Sequence, residues 1–179
     1  MPDMRYLLLL YLLFCAAIFL YDHLFRRVPN SLLLMAIVTQ LAWLVVSGSG
    51  LNGVTWTGAL SGFALGLFFF LPLYALRAMA AGDVKFFAVL GLLLGPGPLL
   101  PIFLIASAMA GVYAVAIRMW RMGLAPGMHI VAIRVVRWPW YQRVLERRGN
   151  RIGIPYAAYL ALAAAWAGMH SAGIVPGFT

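Results

Sequence analysis

The 179-residue chain is 65% hydrophobic and only 9% charged, with 13 Lys and Arg residues against four Asp and Glu. Soluble globular proteins carry about 25% charged residues, so this composition excludes a water-soluble domain and indicates an integral membrane protein. We therefore predict one all-α, polytopic membrane domain that occupies residues 1–179.

The first three apolar runs are long enough, or nearly long enough, to cross a bilayer. They extend from Tyr6 to Tyr21, where Asp22 closes the run, from Leu32 to Val46, and from Val54 to Leu76. A crossing takes about 20 residues, with a range of roughly 17–25, so the third run is sufficient and the first two are marginal. A Ser/Gly turn at residues 47–53 separates the second from the third.

The second half of the chain contains one short run and two long ones. A turn of small residues leads to Asp83 and a fourth run, Val84–Leu94, which ends at a Gly-Pro-Gly-Pro breaker. That run is short for a span, which favours a short buried helix or a re-entrant element. The fifth and sixth runs, Leu99–Ile117 and Ile152–Val175, are long enough to cross. The prediction is about six transmembrane helices, of which the fourth is short.

The basic residues orient these helices, because cytoplasmic loops collect Lys and Arg. An N-terminus outside the cell places 12 of the 13 basic residues at the cytoplasmic side and leaves only Arg5 outside. The same orientation brings Asp22 and Asp83 to one membrane face. Since topology accounts for the positive charge, we expect no nucleic acid partner. Residues 118–151, basic and rich in Trp, are predicted to form a cytoplasmic or interfacial loop that contacts membrane lipids.

Asp22 and Asp83 are the leading candidates for a functional site, since an ionisable residue at membrane depth is costly to keep. Two neighbouring carboxyl groups tend to share a proton, which is the chemistry of aspartic proteolysis. That reaction uses carboxyl groups and water, so no metal and no cofactor are expected. The alternatives are structural: Asp22 pairs with Arg26 or Arg27, and Asp83 is the N-cap of the fourth helix.

Three segments resemble motifs of the type IV prepilin peptidases. Residues 22–30 (DHLFRRVPN) resemble the first motif, an Asp followed by basic residues and a hydrophobic-Pro-Asn ending. Residues 80–88 (AAGDVKFFA) resemble the second motif, Gly-x-Gly-Asp followed by a hydrophobic residue and Lys. Residues 154–157 (IPYA) resemble a third element, hydrophobic-Pro-Tyr-Gly.

The resemblance implies a membrane-embedded aspartic endopeptidase of the bacterial inner membrane. Its expected partners are prepilins and pseudopilins, whose short basic leader it removes at the cytoplasmic face. Asp22 and Asp83 match the catalytic pair of the family. The motifs imply supporting or substrate-binding positions at Pro29, Asn30, Gly82, Lys85, Pro155 and Tyr156.

Two departures from the family pattern and the presence of a single cysteine refine this expectation. Ala80 and Ala157 stand where the family usually has glycine, and an added methyl group can crowd a substrate or a neighbouring helix. Cys15 is the only cysteine, so the chain cannot form the multi-cysteine zinc site of the larger, methylating members. The compact form resembles the Tad-type peptidases, whose substrates are Flp-type prepilins.

Two other functions remain open from the sequence. Two acids at membrane depth also suit a small transporter or an ion- or proton-binding protein, although such proteins often contain internal repeats and none is evident here. A family member that has lost catalysis and serves in pilus assembly is the second alternative, which Ala80 and Ala157 support. The oligomeric state is not set by the sequence.

Overall fold

The computed structural model describes residues 4–50, 52–122, 139–148 and 153–171. Within these ranges the regular structure consists of seven α-helices. In chain order they are α1 (Met4–Phe25), α2 (Asn30–Ser47), α3 (Trp56–Ala75), α4 (Ala81–Leu94), α5 (Leu99–Arg121), α6 (Pro139–Arg148) and α7 (Tyr156–Ser171). The predicted all-α, polytopic architecture is confirmed.

Four of these helices are long and apolar enough to cross a membrane. The candidate segments are Tyr6–Phe25, Asn30–Ser47, Trp56–Ala75 and Leu99–Trp120, in α1, α2, α3 and α5. The helices α4 and α7 have 14 and 16 described residues. At 1.5 Å per residue α4 is about 21 Å long, which is shorter than the roughly 30 Å hydrocarbon core.

The short helix α4 lies at the centre of the bundle. Its last eleven residues are buried except for Lys85, and α2, α3, α5 and α7 all pack against it. The contact with α3 is the closest, because Gly62 and Gly91 bring the two backbones together and a methyl group on either would meet the other's carbonyl oxygen. The sequence favoured a short buried helix here, and α4 is one.

Three details of the predicted elements were wrong. The helix α1 does not end at Asp22 but continues to Phe25, because the buried carboxylate has a hydrogen-bond partner inside the bundle. The helix α4 begins at Ala81, so Ala80 is its N-cap and Asp83 belongs to its first turn. The interval 118–151 is not entirely a loop, since α5 extends to Arg121 and α6 lies within it. The rest of that interval, 123–138 and 149–151, lies outside the described residues.

Small side chains allow α7 to pack closely against α1. Ala161, Ala164 and Gly168 are buried on α7, and Gly168 lies against the ring of Tyr11. The Tyr11 hydroxyl donates a hydrogen bond of 2.8 Å to the Ala164 carbonyl oxygen. These contacts hold α7 against the helix that carries Asp22, and so they position the N-terminus of α7 near that carboxylate.

Candidate active site

Asp22 and Asp83 lie in one cavity, although they are 61 residues apart in sequence. Asp22 is in the last turn of α1 and Asp83 in the first turn of α4, and their carboxylates are close enough to interact electrostatically. The cavity has a volume of about 550 Å³. It is lined by Asp22, Arg26, Arg27, Val28, Asn30, Ala80, Gly82, Asp83, Lys85, Gly153 and Ile154.

The Asp22 carboxylate is held by the first turn of α7. Only 5% of Asp22 is exposed, and its Oδ2 accepts a 3.0 Å hydrogen bond from the Ala158 N–H. Arg26, one turn further along the chain, contributes a favourable charge interaction. A buried carboxylate is therefore compensated by a backbone donor and a nearby cation, as buried charges require.

The Asp83 carboxylate interacts with backbone donors from two helices. The N–H of Ala80, the N-cap of its own helix, and the N–H of Ala157 in α7 both favour its ionised form. An acidic residue three positions after the N-cap commonly reaches back in this way to the N-cap amide. The neighbouring Gly82 lies against Val28, and a methyl group there would come within 3.3 Å of that side chain.

Two basic residues of the cavity, Arg26 and Lys85, have hydrogen-bond partners of their own. Arg26 adopts a left-handed conformation with φ +54°, and its Nη2 donates a 2.9 Å hydrogen bond to the Tyr113 hydroxyl. Lys85 is exposed, and its Nζ donates to Asn30 Oδ1 over 3.4 Å. Asn30 is the first residue of α2, where Pro29 is the N-cap.

A second, apolar cavity of about 380 Å³ adjoins the first between α2, α3 and α4. The two cavities share Asn30 and Lys85. The walls of the second are mainly hydrophobic, with Leu34 and Leu67 on opposite helices. A charged cavity and an apolar one therefore lie side by side, separated by Asn30 and Lys85.

The structure brings five of the eight predicted site residues to the cavity and leaves three outside its lining. Asp22, Asn30, Gly82, Asp83 and Lys85 line it. Pro29 is the N-cap of α2, and Pro155 is fully buried just before α7. The Tyr156 hydroxyl lies 2.9 Å from the Ser107 hydroxyl, so this side chain connects α7 to α5.

Sequence reasoning missed Ala158 and Tyr113. Alanine 158 acts through its backbone N–H, which no side-chain pattern marks, and Tyr113 lies inside an apolar run where an aromatic residue is ordinary. Among the described residues, no group of three or more His, Cys, Asp or Glu side chains could hold a metal ion.

Comparison with known proteins identifies one family. The model of the type IV leader peptidase family matches residues 9–115, a segment that includes both aspartates and ends before α7. No curated protein and no solved structure matches the chain.

Proposed function

Because the chain belongs to the type IV leader peptidase family, we propose that it is an aspartic endopeptidase that removes the short basic leader of Flp-type prepilins and pseudopilins. Asp22 and Asp83 are the catalytic pair in this proposal. The observation that carries it is their meeting in a single cavity, each buried or half-buried and each with backbone donors to its carboxylate.

The chemistry follows from two carboxyl groups that share one proton. The ionised group takes a proton from a water molecule as that water attacks the scissile carbonyl carbon. The protonated group donates to the carbonyl oxygen, and the tetrahedral intermediate collapses when the leaving nitrogen receives a proton from the pair. Either aspartate can take either part, because a coupled pair titrates as a unit.

The shape of the site supports a substrate anchored in the membrane. The polar cavity around Asp22 and Asp83 lies next to the apolar cavity beside Leu34 and Leu67, and the two share Asn30 and Lys85. A bond that lies between a polar leader and an apolar segment suits this arrangement. The positive-inside distribution of basic residues supports a bacterial inner-membrane location, with the aspartates at the cytoplasmic face.

Family membership favours this function over the transporter alternative. The degenerate alternative depends on Ala80 and Ala157, and neither residue needs to be glycine for its own backbone. Ala80 has φ −78° and ψ 147°, an ordinary extended conformation, and Ala157 is a residue of α7. Both positions act on Asp83 through their N–H groups, which alanine retains.

Co-expression with a Flp-type prepilin tests the proposal, with leader removal followed by mass spectrometry. The parent chain should remove the leader, and Asp22→Asn and Asp83→Asn should each reduce the rate about a thousandfold or more. Glu146→Gln is the matched control, because Glu146 is an exposed acid on α6 outside the cavity. Cleavage at the parent rate by either aspartate variant would rule out the proposed pair.

A further inference from the structure

The N-terminus of α7 meets both candidate catalytic carboxylates at once. A helix leaves its first N–H groups without intrahelical acceptors, so each needs another partner. The Tyr156 N–H donates to the Ile154 carbonyl oxygen over 2.9 Å, and the Tyr159 N–H reaches the Pro155 carbonyl oxygen over 3.4 Å. The two N–H groups between them contact the aspartates. The Ala158 N–H donates to Asp22 Oδ2, and the Ala157 N–H interacts with the Asp83 carboxylate.

We propose that the adjacent Ala157 and Ala158 amides form a positioning element that holds the two carboxylates together and favours their ionised forms. This inference rests on the proposed function, because it assigns the amides to that same aspartate pair. Adjacent amides in a helix project in fixed relative directions. Carboxylates bound to them therefore have a defined separation, which the separate helices α1 and α4 could not set alone.

Burial and packing make this element rigid. Ala157 and Ala158 are both 0% exposed, so water does not compete for their amides. The hydrogen bond between Tyr156 and Ser107 connects this turn to α5, and the bond from Tyr11 to Ala164 connects α7 to α1. These contacts fix the helix end against α1 and α5 independently of its contacts with the carboxylates.

The helix dipole adds to the effect of the amides. The N-terminus of a helix carries partial positive charge, which stabilises negative charge in its first turn. Two neighbouring carboxylates repel each other when both are ionised. Placing both at this end of α7 offsets part of that repulsion.

The proposal also accounts for a feature outside the matched family region. Residues 157 and 158 lie beyond residue 115, where the match ends, yet each delivers an amide to one of the aspartates. Since backbone N–H groups carry the contact, the side chains at 157 and 158 need only be small enough to pack. Alanine satisfies that condition at both positions.

Amide-to-ester substitution is the direct test, because it deletes one N–H and leaves the side chain unchanged. Lactic acid is introduced at position 157 or 158, and 4-hydroxyphenyllactic acid at position 156 is the matched control. The control removes an N–H from the same helix end, but one that contacts Ile154 rather than an aspartate. Ala157→Gly and Ala158→Gly keep the N–H groups and test the side chains separately.

We expect the esters at 157 and 158 to lower kcat about tenfold or more, as loss of a charge-assisted hydrogen bond implies, with KM nearly unchanged. The acidic limb of the pH profile should move to higher pH, because an N–H donor favours the ionised carboxylate. The ester at 156 and both glycine variants should leave the midpoint of the acidic limb unmoved, whatever their effect on the rate, because they keep the N–H groups that reach the aspartates. Equal profiles for the esters at 156, 157 and 158 would overturn the proposal.

Infrared spectroscopy provides a readout that does not depend on cleavage. The band of the protonated carboxyl group, assigned with Asp22→Asn and Asp83→Asn, is followed against pH in detergent-purified protein. The esters at 157 and 158 should shift its titration midpoint to higher pH, and the ester at 156 should not. A shift in a chain that cleaves no prepilin would retain this inference and reject the peptidase function. An unshifted band with active parent protein would do the reverse.

Discussion

The two ends of α4 differ in how their unpaired backbone groups find hydrogen-bond partners. A short helix inside a membrane protein has unpaired N–H groups at one end and unpaired carbonyl oxygens at the other, and water is scarce at both. At the C-terminal end, neutral side chains supply the missing donors. At the N-terminal end, the neighbours are charged and a cavity opens.

The C-terminal end of α4 is closed and neutral. Gln40, 0% exposed, donates from Nε2 to the Leu92 carbonyl oxygen over 3.0 Å, and Asn52 donates to the Leu93 carbonyl oxygen over 3.1 Å. The contact between Gly62 and Gly91 lies just before this end. Paired polar groups and close backbone packing indicate a structural role.

The N-terminal end adjoins a cavity that is lined by both acidic and basic side chains. Among the described residues, Arg26 Nε and Nη1 are buried and have no hydrogen-bond partner. The carboxylates of Asp22 and Asp83 interact electrostatically with each other and line the same cavity as Arg26 and Lys85. Buried polar and charged groups without full hydrogen bonding are typical of functional sites, where they lower stability but are needed for activity. The comparison predicts that changes at the C-terminal end of α4 affect stability and that changes at its N-terminal end affect activity.

The largest effect on stability is expected from Gly91→Ala. Its methyl group would meet the Gly62 carbonyl oxygen, so α3 and α4 must separate. We expect a loss of about 3 kcal/mol, the upper end for an overpacked core, measured by thermal unfolding in detergent. Gly111→Ala is the control, because a methyl group there meets nothing within 4 Å on the exposed side of α5. Equal stability of the two variants would contradict the close packing.

A smaller effect is expected from Gln40→Leu. This substitution removes the donor to the Leu92 carbonyl oxygen at a buried position, which costs about 1–3 kcal/mol. Leader cleavage per folded molecule should stay unchanged, since Gln40 does not line the cavity. Thr39→Val is the control, because its hydroxyl bonds to Met35 within the same helix at an exposed position. A large fall in cleavage rate with unaltered stability would reverse the comparison between the two ends.

Much of this contrast could be predicted from the sequence, and the missing part has a physical cause. Composition and apolar runs predicted the helical membrane fold. The distribution of basic residues predicted that Asp22 and Asp83 lie at the same membrane face. The Gly-Pro-Gly-Pro breaker marked the end of α4, which does end at Leu94. These features are local, so a single chain displays them.

The contacts that complete each end of α4 are long-range and involve backbone atoms. Gln40 is one polar residue in an apolar run, and its partner at Leu92 is 52 residues away. The donor to Asp22 is 136 residues away in sequence and belongs to an alanine. Because every residue except proline has an N–H group, the sequence could not indicate which amide reaches an aspartate. The catalytic role of the pair stays a prediction.

The smallest effect is expected from Ala80→Gly, which restores the residue usual in the family. Ala80 is exposed at the cavity and adopts backbone angles that alanine accepts without strain. Its N–H, which favours ionised Asp83, is present in both forms. As an N-cap, glycine is modestly preferred to alanine, by less than about 1 kcal/mol, so stability should rise slightly if it changes at all.

We therefore expect Ala80→Gly to change the rate of leader cleavage by less than about threefold, a difference of under roughly 1 kcal/mol in activation free energy. Gly82→Ala is the matched comparison in the same turn. There a methyl group would come within 3.3 Å of Val28, between α1 and α2, so activity should fall more than at position 80. A tenfold or greater gain from Ala80→Gly would mean that the alanine methyl group obstructs the substrate. The N-terminal end of α4 would then be limited by space rather than by the arrangement of its charges.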